Sequence, residues 1–448
     1  MLKNKKATTK DTFKKASVVI LSVIVLLVVL AVSLRNSHPQ QKNVNENKDV
    51  WQIVKIGKIN KEGIYRTSIA VDSKGGVHIV YCDGRLVYAY KFGNSWNISI
   101  LSREGNNGYC AIAIDYNEHI HIIESNKNSL TYFYKGDGDN WKCMNISSEG
   151  QFGDVSIVVD YMNCPHIAYK WINTETYCES LKYAFKSSEN IWNSYVVDKK
   201  PSEWGVGLFN DIGVDSKGGL HIIYIDTYIN VSTKLIRNYL IYAYNLPEQN
   251  VWKNTTIAEC GSGTIYSSLA IDSHNALHVC FTKTIEEGEN DVRAVLQYAY
   301  KPYDGIWQIS TVDSAGDVGG WCSIAVDAED GIHISYYDYS HGSLKYAYKP
   351  KNGNWSITTV EDYPSAVSVG HHSSIAVDRE GGIHIVYCDS TGAVKYAYKP
   401  PSKVFAKNIQ KRAVDMDILS SYSYMNFACS ARIIKFEEVL INEHACRL

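Results

Sequence analysis

Proline is scarce, at 9 residues in 448, and net charge is nearly absent, because 45 Lys+Arg offset 47 Asp+Glu. A chain without surplus positive charge is not held on nucleic acid by bulk electrostatics, so no nucleic-acid partner is expected. At 45% hydrophobic and 21% charged residues it is neither disordered nor collagen-like. Phenylalanine is sparse too, 10 residues against 33 Tyr and 10 Trp, so the large side chains mostly carry a polar tip. Spacings such as C-x-x-C or H-E-x-x-H are missing. Neither a metal nor a cofactor is expected.

Long apolar runs are limited to one. Lys3, Lys5, Lys6, Lys10, Lys14 and Lys15 precede a charge-free stretch from Ala16 to Leu34. As a helix this stretch would span about 28 Å, one hydrocarbon core. Lysines on its N-terminal side predict a cytoplasmic N-terminus and an extracellular remainder. Ala31-Val32-Ser33 offers a cleavage site for secretion, but the run exceeds a usual signal-peptide core, so an uncleaved anchor is favoured. The expected order is a basic cytoplasmic segment (1–15), a transmembrane anchor (16–34) and a polar linker (35–50). A repeat region (51–400) and an extension of unassigned role (401–448) follow.

The repeat region decides the fold. An apolar frame holding Asp, five residues, then His occurs seven times: Asp72/His78, Asp115/His121, Asp160/His166, Asp215/His221, Asp272/His278, Asp327/His333 and Asp378/His384. Successive Asp residues lie 43 to 57 apart, a propeller-blade length. Each unit continues with an aromatic segment such as LVYAYK (86–91) or LKYAYK (344–349). Six units then add a segment led by Trp, such as WNISIL at Trp96; the seventh lacks one, and WQIVKI at Trp51 stands before the first unit. Four short strands per unit, A to D, predict an all-β, seven-bladed β-propeller of four-stranded blades. The N-terminal strand would close the ring as strand D of the last blade, and the whole is preceded by one transmembrane helix.

The unit S-I-A-V-D-x-x-G-x-H-I-x-Y followed by L-K-Y-A-Y-K resembles repeats of sialidase-like (BNR-type) and other propellers of secreted and surface proteins. The resemblance covers residues 51–399 and implies architecture. Sialidases proper have six blades, S-x-D-x-G-x-x-W turns and an arginine triad. Here seven units occur, that turn is absent, and Arg66, Arg85, Arg237 and Arg293 show no triad spacing.

Seven repeated Asp–His pairs are scaffold, because a catalytic constellation is unique whereas these recur around the ring. The Asp is expected to accept N–H bonds in the A–B turn, and the His to bond across that turn or to the next blade. Function then belongs to residues that break the repeat. Trp171, Trp204 and Trp321 fall outside the strand-D set and map to the face made by the D–A and B–C loops. The longest insertions, near 171–180, 198–210, 226–239 and 282–295, map there too. The position six before each Asp should begin strand A at the channel mouth. It holds Arg66, Tyr109, Asp154, Phe209, Tyr266, Trp321 and His372, nearly all different, with His371 alongside and Asp83, Asp226, Asp338 and Asp389 nearby. Aromatics with a few charges suit a sugar or peptide ligand.

Three functions follow. One is a surface module binding a glycan or a cell-surface protein. The second is a polysaccharide-active enzyme on the same face: a glycosidase with Asp154 and Asp211 as its carboxylates, or a lyase drawing on His371, His372, Tyr109 and Arg66. The third is a structural or adhesive surface protein. Of 11 Cys, an odd number, Cys164 and Cys178 are the first pair expected to bond, while Cys82, Cys110, Cys280, Cys322 and Cys388 suit buried small hydrophobes. Sequons stand at Asn97, Asn145, Asn230, Asn254 and Asn354, four of them expected in strand D.

Overall fold

A computed structural model describes residues 50–401, except 60–65, 103–107, 139, 188–189, 201–203, 231, 234, 246–250, 287, 289–291 and 363–366. The expected anchor at 16–34, the linker up to 49 and the extension after 401 lie outside the described residues. Among those described, no helix is long and apolar enough to cross a membrane.

Among the described residues, twenty-eight strands form seven sheets of four. Six sheets run A-B-C-D in chain order. The seventh combines Val369–Val377, Ile383–Asp389 and Ala393–Lys399 with the N-terminal strand Gln52–Lys58. Gln52 lies opposite Tyr398 and Lys58 opposite Ala393, so the front of the chain completes the last blade and pairs an otherwise open edge.

The aromatic excess has a structural explanation. The Trp at or just before the start of strand D in each blade packs edge-on against one strand-C Tyr of the preceding blade. The seven pairs are Trp51–Tyr346, Trp96–Tyr396, Trp141–Tyr88, Trp192–Tyr132, Trp252–Tyr183, Trp307–Tyr242 and Trp355–Tyr298, with centroids 5.0–5.4 Å apart. Each such pair contributes about 1 kcal/mol beyond its buried area. The apolar cores lie between blades: Ile79 and Tyr81 of blade 1 share one with Val386 and Tyr396 of blade 7.

The polar end of the same Tyr completes the repeat. In every blade His Nε2 lies 2.9–3.3 Å from the Asp Oδ2. His Nδ1 lies 2.6–2.8 Å from the hydroxyl of that strand-C Tyr. The other Asp oxygen accepts two turn N–H groups, as Asp327 Oδ1 does from Glu329 and Gly331 at 2.8 Å. An ionised Asp only accepts, so the ring donates from Nε2 and accepts the Tyr O–H at Nδ1. The repeated Asp and His are therefore scaffold, as expected. The Tyr hydroxyl is the unforeseen member, and it bonds inside its own blade.

Several expected loops are strands. The insertions at 226–239 and 282–295 extend strands B and C of blades 4 and 5, as Leu220–Asn230 with Leu235–Asn245 and Leu277–Glu286 with Val292–Lys301. Trp171 ends strand B (Pro165–Ile172) rather than entering a loop. Trp204 and Trp321 lie within long strands A, Trp204–Val214 and Val318–Val326. Added residues that keep alternating apolar side chains continue the ladder instead of leaving it. Asn354 precedes its strand D (Ser356–Glu361), leaving Asn97, Asn145 and Asn254 as the strand-D sequons.

Candidate functional site

Seven strands A converge on the axis, and the variable position places one side chain per blade near it. Those seven side chains form a continuous set of contacts. Arg66 forms an ion pair with Asp154 across the channel. Its guanidinium also lies over the rings of Tyr109, at 5.3 Å, and Phe209, at 4.8 Å. Phe209 meets Tyr266 at 4.8 Å, Tyr266 meets Trp321 at 5.3 Å, and Trp321 meets His372 at 4.9 Å. His371 stacks on Trp321 at 4.7 Å, and Tyr337 from strand B of blade 6 and Tyr339 from the turn after it join them.

The backbone beneath this ring is tied across blades. At six of seven interfaces, the residue after the ring position bonds the ring residue's carbonyl in the preceding blade. Thr67 Oγ1 donates to His372 O, Asn210 Nδ2 to Asp154 O, Ser267 Oγ to Phe209 O and Ser373 Oγ to Trp321 O, at 2.6–3.0 Å. Cys110 and Cys322 thiols do the same to Arg66 O and Tyr266 O at 3.7 Å. Blade 3 has Val155 there, which has no donor.

Three ring residues sit on strained backbone. Phe209, Trp321 and His372 have φ of 47°, 44° and 53°, each two residues after a glycine that also has positive φ. Register shifts mark bulges at all three places. A Cβ on Gly319 would come within 3.0 Å of the Leu296 backbone, so glycine is required where blade 6 approaches blade 5. Positive φ in a bulky residue costs about 1 kcal/mol or more, and bulges re-aim side chains toward functional sites. The sequence signal for this was the triplet G-L-F, G-G-W or G-H-H, which a search for strand periodicity passes over.

Protonation in the ring is set by burial. His372 is held well below the usual imidazole range by burial, with Arg66 and His371 adding to the effect, and burial lowers His371 as well. Burial pushes the Tyr109 hydroxyl up to about 12. Both imidazoles are neutral at pH 7. Asp211, one step deeper, is pushed by burial up to about 6 although it accepts from Leu269 N–H and Ser268 Oγ, at 2.8 and 3.0 Å. Asp154 is committed to Arg66 and Asp211 to blade 5, so the two are not an acid and a base facing one ligand.

The remaining expected residues lie apart. Trp171 is covered by Lys182, 3.7 Å from its ring, and donates to Glu149 O at 2.7 Å. Trp204 packs on Tyr228, Tyr239 and Lys200. Among the described residues neither makes a ring contact with the seven. The strand-B aspartates serve the scaffold: Asp83 holds Arg85, Asp226 holds Lys200, Asp338 holds His341 and Lys345, and Asp389 caps its turn. Arg237 pairs with Glu286 and Glu259 and Arg293 donates to Ser314 O, so of the four arginines only Arg66 is in the ring.

Below the ring lies a cavity of about 160 Å³ lined by Arg66, Tyr109, Asp154 and Phe209 above serines of strand A. A larger groove, about 860 Å³, opens between blades 4 and 5 beside Asp215, His221 and Tyr242. Comparable grooves recur at the 5/6 and 7/1 interfaces, which marks them as a product of the repeated wedge. The ring is where the molecule is unique.

No protein-family model matches the chain, and comparison with curated proteins gives no significant match. Among solved structures, the fold is similar to that of polysaccharide lyase Uly1. The TM-score is 0.51 at 11% identity, over 81% of this chain and 94% of that one. It is also similar to a PL25 ulvan lyase bound to a GlcA(1-4)Rha3S chain, with a TM-score of 0.54 at 11% identity over 80% of this chain and 99% of that one. The chain is thus a seven-bladed propeller that resembles polysaccharide lyases in fold. The sialidase-like resemblance of its repeat is one of architecture and has no family support.

Proposed function

We propose that the channel mouth binds a carbohydrate chain, with a preference for sugars that carry a carboxylate. The observation that carries this is the continuous contact among seven side chains that differ from blade to blade, on a scaffold that otherwise repeats. Trp321 and Tyr339 are partly exposed and provide faces for the apolar side of a sugar ring. Arg66 gives one N–H group to Asp154, which leaves other donors of its planar fork for a ligand carboxylate. The fold is one that carries polysaccharide-acting proteins, but the choice of ligand rests on the ring. Glycan-array binding of the full chain in mild detergent tests it. Acidic oligosaccharides should bind, with Trp321→Ala silent; a folded protein that binds none removes the proposal.

Lyase activity on the same ligand is the second reading. It is favoured by neutral His371 and His372 close to Arg66, since a neutral imidazole can take the proton α to a carboxylate whose charge the guanidinium offsets. Incubation with uronate polysaccharides, followed by ultraviolet absorbance of the unsaturated product, distinguishes the two. No absorbance change alongside measurable binding leaves the binder.

Residues 16–34 supply the means of display: a signal-anchor placing the propeller outside the cell, the lysines remaining inside. Protease protection of the N-terminal segment in intact cells checks this, and release of the whole propeller into the medium would favour cleavage.

A further inference from the structure

Nine cysteines fall among the described residues, all as thiols. Cys164 lies in the A–B turn of blade 3, where its N–H bonds Asp160, and Cys178 lies beyond the far end of strand B, beside Thr176. The strand separates them, so the pair expected from the sequence does not meet. Four others fall together in pairs. Cys82 ends strand B of blade 1 (Val77–Cys82) and packs in one core with Cys110 in strand A of blade 2 (Tyr109–Ile114). Cys280 in strand B of blade 5 packs in one core with Cys322 in strand A of blade 6. Each pair is buried in the core that its two blades share.

We propose that these pairs are cross-linking sites: disulfides Cys82–Cys110 and Cys280–Cys322 join blade 1 to blade 2 and blade 5 to blade 6. Two separate interfaces, each linking strand B of one blade to strand A of the next, carry the same arrangement. Neither member of a pair is near its partner in sequence, so the bond would constrain the unfolded chain as well as the ring.

The chemistry balances with a disulfide oxidant such as oxidised glutathione. A thiolate of the pair attacks the oxidant and forms a mixed disulfide. The second cysteine displaces the leaving thiol, and the pair loses two protons and two electrons while the oxidant becomes two thiols. The neighbouring Cys110 thiol and burial raise Cys82 well above the ordinary range, with Glu124 adding to the effect, and burial and the neighbouring Cys322 thiol raise Cys280 likewise. Folded thiols are therefore slow nucleophiles, and the bonds form while the blades are still closing. Once formed, each bond is shielded from reductants. Each also ends next to a ring residue, because Cys110 follows Tyr109 and Cys322 follows Trp321. The cross-links would fix both sides of the channel mouth.

The test is disulfide mapping of the full chain, refolded in detergent with a glutathione redox buffer, acid-quenched, alkylated under denaturing conditions and digested. Two linked peptides, Cys82–Cys110 and Cys280–Cys322, are expected, together with a Tm lower by several degrees after reduction. Alkylation of these four cysteines without prior reduction, or their linkage to any other cysteine, overturns the proposal. In Cys82→Ser, Cys110 should become labelled while the Cys280–Cys322 peptide persists. Loss of that second peptide as well would contradict two independent cross-links.

Discussion

The two ends of strand A obey opposite rules. At one end, all seven blades carry Asp, bonded to the same His and through it to the same Tyr. At the other, seven blades carry Arg66, Tyr109, Asp154, Phe209, Tyr266, Trp321 and His372. The repeated end meets one local demand, which is to close a turn and satisfy its N–H groups in every blade. The variable end meets a demand of the whole ring, because its side chains touch one another across the axis. Positive φ follows the same division: it recurs three residues after the repeated Asp in every blade, as at Glu118, Asn163, Asn275 and Asp330, but in the ring only Phe209, Trp321 and His372 have it. A scaffold can repeat; a site on its axis has to break the repeat.

Substitutions at the two ends should separate stability from recognition. The largest stability loss belongs to the repeated end. Asp327→Ala removes the acceptor for Glu329 and Gly331 N–H and for His333, and should lower unfolding free energy by about 3 kcal/mol. Chemical denaturation reads this, and ligand affinity should stay within about twofold of the wild type.

The next effect probes the variable end. Arg66→Ala leaves the buried Asp154 carboxylate unpaired and should cost about 2 kcal/mol, less than for a fully buried pair because Arg66 is partly exposed. Arg66→Ala/Asp154→Ala should recover most of that loss, so additive losses would show that the ion pair is not coupled. Trp321→Ala comes third and acts chiefly on recognition, with at least a tenfold fall in glycan affinity, about 1.4 kcal/mol.

The gentlest probe is pH. Burial lowers the imidazoles of His78, His121, His166, His278 and His333. The unfolded chain then takes up protons first, so their contribution is complete above about pH 6.5 and declines as pH falls toward the lower folded values. Glu124 acts in the opposite sense. Burial pushes it up to about 7, so its contribution is lost as pH rises from the ordinary carboxylate range to that value. Glu124→Gln should therefore raise Tm at pH 7.5, leave it near wild type at pH 4.5, and steepen the acid decline. An unchanged Tm at pH 7.5 contradicts the assignment.

Seven blades and their N-terminal closure were legible because the Asp-to-His spacing and the displaced Trp51 are countable in one dimension. The ring position was legible for the same reason, as a column that varies where its neighbours do not. Contacts between blades were not. Nothing in the spacing of Arg66 and Asp154 announces an ion pair, and Cys82 with Cys110 looked like scattered small hydrophobes. Such contacts depend on how seven sheets close into a ring. Trp171 and Trp204 show the converse: a departure from the repeat need not join the site, because a lysine can cover an aromatic face as well as a ligand can.

Isothermal titration of one acidic oligosaccharide into wild type, Trp321→Ala and Tyr88→Phe compares the two ends under one condition. Tyr88→Phe removes only the hydroxyl that bonds His78. The account predicts that Tyr88→Phe binds as wild type does while Trp321→Ala, folded by circular dichroism, binds at least tenfold more weakly, about 1.4 kcal/mol. Equal affinity in all three proteins would contradict it.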